Sequence, residues 1–189
     1  MRTAEATPAE AIAALIHSLG LSPQQTSGHE LDRLSGDELT RLVRRFADAH
    51  ELWRPFVQHI PSERWYRRLY RTGGFEVWLL GWDVAQDTQI HDHGGSSGAI
   101  YVAEGTLVEY RSDRRRQGPM LRARHRHGRS RAFGPSYVHN LVNEGPGFAT
   151  SLHAYSPPLT KMSYYRRTVD GGLELDHTLE VDGPEPGAS

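Results

Sequence analysis

Short segments in which apolar and polar residues alternate fill the chain after about residue 64, and they constrain the fold more than any other feature. Side chains of a β-strand point alternately to opposite faces, so each segment predicts a strand with one buried face. Gly/Pro-containing turns such as 72–74 and 145–147 separate the segments. The segments lie at 75–82, 98–105, 106–111, 138–143 and 149–156. Many short strands joined by such turns predict a mainly β sandwich or barrel.

Two amphipathic helices are predicted ahead of the strands, at roughly 8–19 and 36–50. Gly20 is a natural stop for the first helix. Ser35 and Glu38 have the spacing of a capping box at the start of the second helix. The helices therefore precede the β region instead of alternating with its strands, and a βαβ architecture is not expected.

We expect a single domain over residues 1–189, since 189 residues can bury one hydrophobic core. Its helical segment is placed at 1–60, its β-barrel at 64–168 and its tail at 170–189. The tail ends in GPEPGAS, a polar sequence rich in proline and glycine. We expect that end to be poorly ordered.

Composition excludes several kinds of protein. The net charge of −1 and the isoelectric point near 6.8 provide no basic field that would attract nucleic acid or a membrane. The chain has no cysteine, which excludes disulfides, a thiolate metal site and a nucleophilic thiol. No apolar run approaches the roughly 18 residues of a membrane span. We expect a cytoplasmic protein that is a monomer or a weak homo-oligomer and binds neither nucleic acid nor membrane.

His91 and His93 lie two residues apart, just before one of the alternating segments. Residues i and i+2 of a strand face the same side, so both imidazole rings can point at one ion. His139, on the segment 138–143, is the natural third ligand. Imidazole suits iron, zinc, copper and nickel, so the ligands alone do not choose the metal. A His-x-His motif also occurs on protein surfaces without a metal, and the spacing alone does not exclude that interpretation.

A second histidine pair, His125 and His127, lies in the arginine-rich stretch 122–131. Cationic side chains repel a divalent metal ion. We therefore interpret this pair as part of a solvated basic loop and not as metal ligands.

The region around the first histidine pair resembles the first cupin motif. In that motif a His-x-His pair is followed by three or four residues, a glutamate, six residues and a glycine. Gly105 matches the final glycine, but Gly98 stands at the glutamate position. The second cupin motif ends in a histidine with an asparagine four residues later, and His139 with Asn143 matches it.

A cupin without that glutamate and with only three histidines resembles the cysteine dioxygenase family of thiol dioxygenases. The stretch 151-SLHAYSPPL-159 is similar to the Ser-x-His-x-Tyr-Ser-Pro-Pro segment of that family. The strand 75-FEVWLLGW-82 is similar to the family strand that precedes the histidine pair. The resemblance runs from about Trp65 to Tyr165, and it implies a cupin, a small jelly-roll β-barrel, here with N-terminal α-helices.

The resemblance assigns roles to two sets of residues. It implies that ferrous iron, Fe(2+), is bound by His91, His93 and His139. It also implies a hydrogen-bonded relay beside the bound substrate and oxygen, formed by Ser151, His153 and Tyr155. Alternation places the relay residues on one face, where they can bond to one another. The same row could also be a structural polar ladder, whereas a serine nucleophile would need a tight turn that this strand lacks.

The chain departs from the mammalian family members at one position. Those members carry a cysteine at the position of Gly98, cross-linked to the tyrosine. Because this chain has no cysteine, that bond cannot form, as in bacterial members. Tyr155 would therefore act as a free phenol.

The anchor of the substrate carboxylate is left open among three residues. Some family members use an arginine upstream of the strand that precedes the histidine pair. A gap-free count places an aromatic residue such as Tyr66 there, whereas a short deletion places Arg67 or Arg68 there. Neighbouring strand residues point to opposite faces, so we expect at most one of the two arginines to face inward.

The function implied by the resemblance is that of a non-haem iron(II) thiol dioxygenase, which adds both atoms of O2 to the sulfur of a small thiol. L-Cysteine, oxidised to cysteine sulfinate, is the first candidate substrate, and 3-mercaptopropionate or another small thiol is the alternative. A cupin of a different class, which binds a metal or ligand without catalysis, remains a second possibility. Uptake of oxygen with small thiols discriminates between the two classes.

Overall fold

The N-terminal helices lie close to their predicted positions in the computed structural model, which describes residues 8–21, 33–113 and 118–180. Helix α1 spans Pro8–Ser18 and helix α2 spans Gly36–Asp48. The hydroxyl of Ser35 accepts a hydrogen bond from the backbone N–H of Glu38, whose carboxylate accepts one from the backbone N–H of Ser35. The predicted capping box is therefore confirmed. Two single turns of 3-10 helix, His50–Leu52 and Arg54–Phe56, lead to the first strand.

The described residues after the helices form eleven strands. In chain order, β1 to β11 are Trp65–Arg71, Glu76–Trp82, Ile90–His91, Ser97–Glu104, Thr106–Asp113, Leu121–Arg126, Ser130–Phe133, Tyr137–Val142, Ala149–Ser156, Lys161–Arg167 and Leu173–Glu180. They make two antiparallel sheets. The five-stranded sheet has the order β1-β2-β9-β4-β7, and the six-stranded sheet has the order β11-β10-β3-β8-β5-β6.

Strand β2 shows how the five-stranded sheet serves two cores at once. All seven of its residues are buried, because both faces of the strand are covered. Val77 and Leu79 pack with the helices in one hydrophobic cluster. Trp78 and Trp82, on the other face, pack between the two sheets in a second cluster. The helices therefore cover the outer face of the five-stranded sheet, and the inner face lines the space between the sheets.

This architecture confirms the predicted class, a mainly β cupin barrel with N-terminal helices. Strand β9 lies at the centre of the five-stranded sheet and pairs with β2 on one side and β4 on the other. Among the described residues, none of the helices has the length and apolar character needed to cross a membrane.

Several strands lie outside the predicted segments, and β11 is one of them. Strand β11 forms within the segment assigned to the tail and pairs with β10 along its whole length. It is an edge strand, and most of its side chains are exposed. Leu173, Leu175 and Leu179 do alternate with polar residues, so a period-two signal was present in the sequence. The end of the tail, from residue 181 onward, lies outside the described residues.

Candidate metal centre and its surroundings

Strand β3 and the turn that follows it hold the first two histidines. His91 and His93 are buried, and the centroids of their rings are 4.9 Å apart. Asp92 points the opposite way: its carboxylate accepts a hydrogen bond from the Tyr165 hydroxyl at 2.7 Å, and its backbone N–H donates to the Ser163 carbonyl at 2.9 Å. These bonds tie the segment to strand β10 and thereby fix the direction of both imidazole rings.

His139 comes from the neighbouring strand β8, where it lies directly opposite His91 in the antiparallel register. Its ring centroid is 4.8 Å from that of His91 and 5.0 Å from that of His93. One nitrogen from each of the three buried rings lies within 4.8 Å of the others. Metal–nitrogen bonds of about 2.0–2.1 Å are within reach of such a group. The predicted trio is thus brought together, and it can hold a metal ion.

Two of the three rings are oriented through their Nδ1 atoms. His91 Nδ1 lies 3.1 Å from the backbone carbonyl oxygen of Gln89. His139 Nδ1 lies 2.9 Å from a carboxylate oxygen of Glu109. An imidazole whose Nδ1–H donates to such an acceptor carries its lone pair on Nε2, which is the form that binds a metal. The chemistry of the donor set therefore fits a divalent transition metal ion.

A row of buried polar side chains on β9 leads toward this centre. Ser151 Oγ is 2.9 Å from His153 Nε2, and His153 Nδ1 is 3.1 Å from the Tyr155 hydroxyl. The indole N–H of Trp82 donates to Ser151 Oγ at 2.8 Å and closes the far end of the row. The ring of Tyr155 lies 5.3 Å from that of His93. The three residues thus share the inner face, as their alternation predicts, and the row ends beside a candidate ligand.

Phe133 packs among the candidate ligands, and the sequence offered no signal for it. Its ring stacks on His93 at 4.6 Å and on Tyr137 at 5.1 Å. It lies opposite Gly98 in the register of β4 and β7. A Cβ at position 98 would overlap the Phe133 ring. The space beside Tyr155 is therefore filled by an aromatic ring from a third strand.

The three anchor candidates on β1 fall on different faces. Tyr66 and Arg68 lie opposite Leu80 and Trp78, whose side chains belong to the inner cluster. The Arg68 guanidinium lies 5.2 Å from the centroid of the Trp78 ring. These two residues remain candidates for contact with a substrate.

Arg67 lies on the other face of β1. Its choice as an anchor candidate is therefore corrected by the structure. Arg67 is opposite Leu79, and its guanidinium lies 4.0 Å from the centroid of the Phe56 ring, on the helical side of the sheet. Arg64, which is not among the predicted anchor candidates, is 3% exposed. Its guanidinium lies 5.1 Å from the centroid of the Trp82 ring and donates a hydrogen bond to the Asp87 carbonyl at 2.5 Å. The inner face of this region therefore carries Arg64 and Arg68 and excludes Arg67.

The interpretation of the second histidine pair as part of a solvated loop is wrong for His125, whereas His127 is exposed and lies in a turn, as expected. His125 lies on strand β6, which pairs with β5, and alternation sends the neighbouring arginines outward while His125 turns inward. His125 Nε2 is 2.9 Å from a Glu109 carboxylate oxygen. His127 Nδ1 lies 2.6 Å from the Ala103 carbonyl oxygen, in the turn after β6. Neither residue belongs to the three-histidine group.

Glu109 is a further site residue that sequence reasoning missed. Burial acts to raise the pKa of its carboxyl group, but hydrogen bonds from His125 and His139 outweigh burial and hold that pKa well below its usual range. The Tyr137 hydroxyl also donates to this carboxylate, at 3.0 Å. Burial and the negative charge of Glu109 raise the pKa of Tyr137 to about 12. Glu109 is therefore an anion and Tyr137 a neutral phenol at neutral pH.

Three buried histidines between the two sheets of a small β-barrel define a cupin with a candidate metal site. The family model for cysteine dioxygenase type I matches residues 9–168 of the chain. The chain belongs to this family.

Three solved structures are similar to this chain at low sequence identity. The TT1209 protein of Thermus thermophilus is 18% identical, with a TM-score of 0.49 over 56% of this chain and 93% of that chain. The BH2720 protein of Bacillus halodurans is 17% identical, with a TM-score of 0.48 over 60% of this chain and 78% of that chain. A double-stranded β-helix protein of Klebsiella pneumoniae is 17% identical, with a TM-score of 0.46 over 78% of this chain and 99% of that chain. The family assignment rests on the family model.

Proposed function

We propose that this protein is an iron(II)-dependent thiol dioxygenase that converts a small thiol into its sulfinate. L-Cysteine is the first candidate substrate and 3-mercaptopropionate the second. The observation that carries the proposal is the convergence of the three-histidine group with the Ser151–His153–Tyr155 row inside one barrel. Membership in the cysteine dioxygenase type I family supports the same reaction class.

Iron is proposed as the metal because the reaction requires a redox-active ion, and zinc has no redox chemistry. Bound ferrous iron would supply the centre at which a thiolate and dioxygen react. The reaction balances as RS⁻ + O2 → RSO2⁻, since the sulfur supplies all the electrons and no further reductant is consumed. His91, His93 and His139 would hold the ion through three neutral nitrogen ligands, which leave its full positive charge to attract the thiolate.

Tyr155 is proposed to place its hydroxyl beside the substrate. His153 would fix that hydroxyl, and Ser151 would fix His153 in turn, because each member of the row lies within hydrogen-bond distance of the next. The row is buried, so water does not compete for these bonds. Its proposed contribution is orientation of a phenol toward the reacting atoms.

The substrate carboxylate is proposed to meet a cation on the inner face of β1. Arg68 is the first candidate, with Tyr66 beside it on the same face. Tyr66 lies at the rim of the inner cluster, because its ring makes an edge contact with the Trp78 ring at 6.0 Å. A guanidinium can hold a carboxylate through two parallel hydrogen bonds, which would orient the thiol as well as bind it.

The test is a product analysis on iron-loaded protein. We expect oxygen uptake with L-cysteine or 3-mercaptopropionate, one O2 consumed per thiol, and a sulfinic acid in which both oxygen atoms come from labelled O2. Metal-depleted protein is the control. An iron-loaded protein that consumes no oxygen with any small thiol would contradict the proposal and favour a binding function. The cytoplasmic location and the monomeric or weakly oligomeric state stay predictions from the sequence.

A further inference from the structure

Glu109 is a fully buried carboxylate at the meeting point of three strands. It lies on β5, and its two oxygens lie within hydrogen-bond distance of His125 on β6 and of Tyr137 and His139 on β8. A buried carboxylate costs several kcal/mol unless it is paired. The three partners offset that cost, and one of them is a candidate metal ligand.

The two oxygens have separate tasks. Oε1 accepts from the Tyr137 hydroxyl at 3.0 Å and from His139 Nδ1 at 2.9 Å. Oε2 lies 2.9 Å from His125 Nε2, with the Arg131 Nε atom 4.0 Å away. Because both ends of the carboxylate are held, the group cannot rotate away from His139.

Oε1 of Glu109 also accepts from the Tyr137 hydroxyl, so this oxygen acts as an acceptor, and the proton between Glu109 and His139 is assigned to Nδ1 of the imidazole. We infer that Glu109 is a positioning residue of the metal centre, which holds His139 in the Nδ1–H form with Nε2 left for the metal. This inference rests on the proposed iron site. Carboxylate–histidine–metal arrangements raise the basicity of the ligand and fix its ring orientation.

His139 differs in this respect from its neighbour. The Nδ1 atom of His91 faces a neutral backbone carbonyl, that of Gln89, at 3.1 Å. The partner of His139 is a side-chain carboxylate that is also held by Tyr137, and such a partner orients the ligand ring and raises its basicity. The metal affinity of the site should therefore depend on Glu109 although this residue contacts no metal.

The matched variants are Glu109→Gln and Glu144→Gln. Glutamine keeps the size of the side chain and removes its charge. Glu144 accepts hydrogen bonds from a tyrosine hydroxyl, that of Tyr110, and from an arginine, Arg122, but it lies outside the barrel. It therefore controls for loss of a hydrogen-bonded carboxylate in the same sheet region.

Iron(II) affinity is measured anaerobically by competition with a chelator. We expect Glu109→Gln to raise the dissociation constant about 10–100-fold, and Glu144→Gln to leave it unchanged. The visible absorption of the cobalt(II)-loaded protein should shift in the first variant alone. Circular dichroism of each metal-free variant checks that the fold is retained.

A second measurement on the unaltered protein decides the matter even if Glu109→Gln does not fold. Nitrogen NMR of the zinc-loaded, histidine-labelled protein should show the proton of His139 on Nδ1 and the metal on Nε2. A metal on Nδ1 of His139, or equal iron affinity of Glu109→Gln and the unaltered protein, would overturn the inference. An unaltered protein that retains no iron at all would instead overturn the proposed function on which the inference rests.

Discussion

Gly98 lies opposite Phe133 across strands β4 and β7, and the Phe133 ring fills the volume that any side chain at position 98 would occupy. The glycine also lies opposite Tyr155 across β4 and β9. An aromatic ring therefore stands beside the tyrosine where mammalian relatives have a cysteine. The chain cannot form the cysteine–tyrosine cross-link, and the Phe133 ring fills the space beside position 98 instead.

Gly98→Ala is expected to destabilise the protein by about 1–3 kcal/mol, since a Cβ at this position overlaps the buried Phe133 ring. Urea unfolding of the metal-free protein measures the loss. Gly134→Ala, where a Cβ would meet no atom within 4 Å, is the matched control and should be close to neutral. Equal stability of both variants would show that Phe133 can move aside freely.

His91→Ala and His139→Ala are each expected to abolish iron retention, because each removes one of three converging nitrogen donors. Iron content after gel filtration measures the effect. His127→Ala is the control, since this ring bonds to the Ala103 carbonyl outside the group. His125 is not a neutral control, because it contacts Glu109. Iron loss from His127→Ala comparable to that from His91→Ala would mean that the wrong histidines were chosen.

Tyr155→Phe should lower the turnover rate about 10²-fold or more while iron content stays unchanged, because a positioned proton donor or acceptor contributes roughly 10²–10⁴-fold. The Tyr155 hydroxyl is the end of the polar row. Steady-state oxygen uptake measures the rate. Tyr101→Phe, on the opposite face of the sheet, is the matched control, because that ring packs with the helical cluster. An undiminished rate in Tyr155→Phe would remove the role assigned to the phenol.

Arg68→Met and Arg67→Met form a pair that separates the two faces of β1. If Arg68 holds the substrate carboxylate, its loss should raise KM about 10-fold or more, since a charged hydrogen bond contributes about 1.5–3 kcal/mol. Arg67→Met should leave KM unchanged, because its guanidinium packs on Phe56. Equal effects of the two variants would place the anchor elsewhere, with Arg64 the next residue to test.

The free energy of unfolding should fall as the pH rises through the range in which buried Glu76 loses its proton. Burial raises the pKa of this carboxyl group, against the opposing effects of a hydrogen bond from Leu159 N–H and of nearby arginines. The folded state then binds more protons than the unfolded state, so stability is lost between the unfolded pKa of about 4.3 and the higher folded pKa. Each unit of difference corresponds to about 1.4 kcal/mol.

Glu76→Gln tests this sign, because glutamine can still accept the hydrogen bond from Leu159 without a charge. The variant should lose this pH dependence of stability and be more stable than the unaltered protein at neutral pH. Urea unfolding across the same pH range measures both effects. Glu144→Gln is the contrasting control: hydrogen bonds from Tyr110 and Arg122 lower the pKa of Glu144, so its removal should not raise stability at neutral pH. A flat profile for the unaltered protein would contradict the prediction.

The elements with the clearest periodicity were predictable from the sequence. The segments predicted at 75–82 and 149–156 correspond to β2 and β9, whose alternating side chains face two separate cores. The grouping of the three candidate metal ligands was also predictable, because two of them lie two residues apart and the third closes a recognisable motif.

The remaining site residues depend on pairing between distant strands, which no local pattern contains. Glu109 meets partners 16 to 30 positions away, and they come together only when β5 pairs with β6 and β8. The choice between Arg67 and Arg68 likewise follows from the register of β1 on β2. Strand β6 was missed because its arginines, which point outward, masked the alternation.

Strand β9 joins the chemistry of the site to the N-terminal segment. Its row of Ser151, His153 and Tyr155 faces the inside, while Leu152 and Ala154 belong to the cluster built with the helices. Truncation to the barrel alone would expose the apolar outer face of β9 to water. The helices therefore cover the strand that carries the candidate site, and shortened versions of this protein made for engineering should keep them.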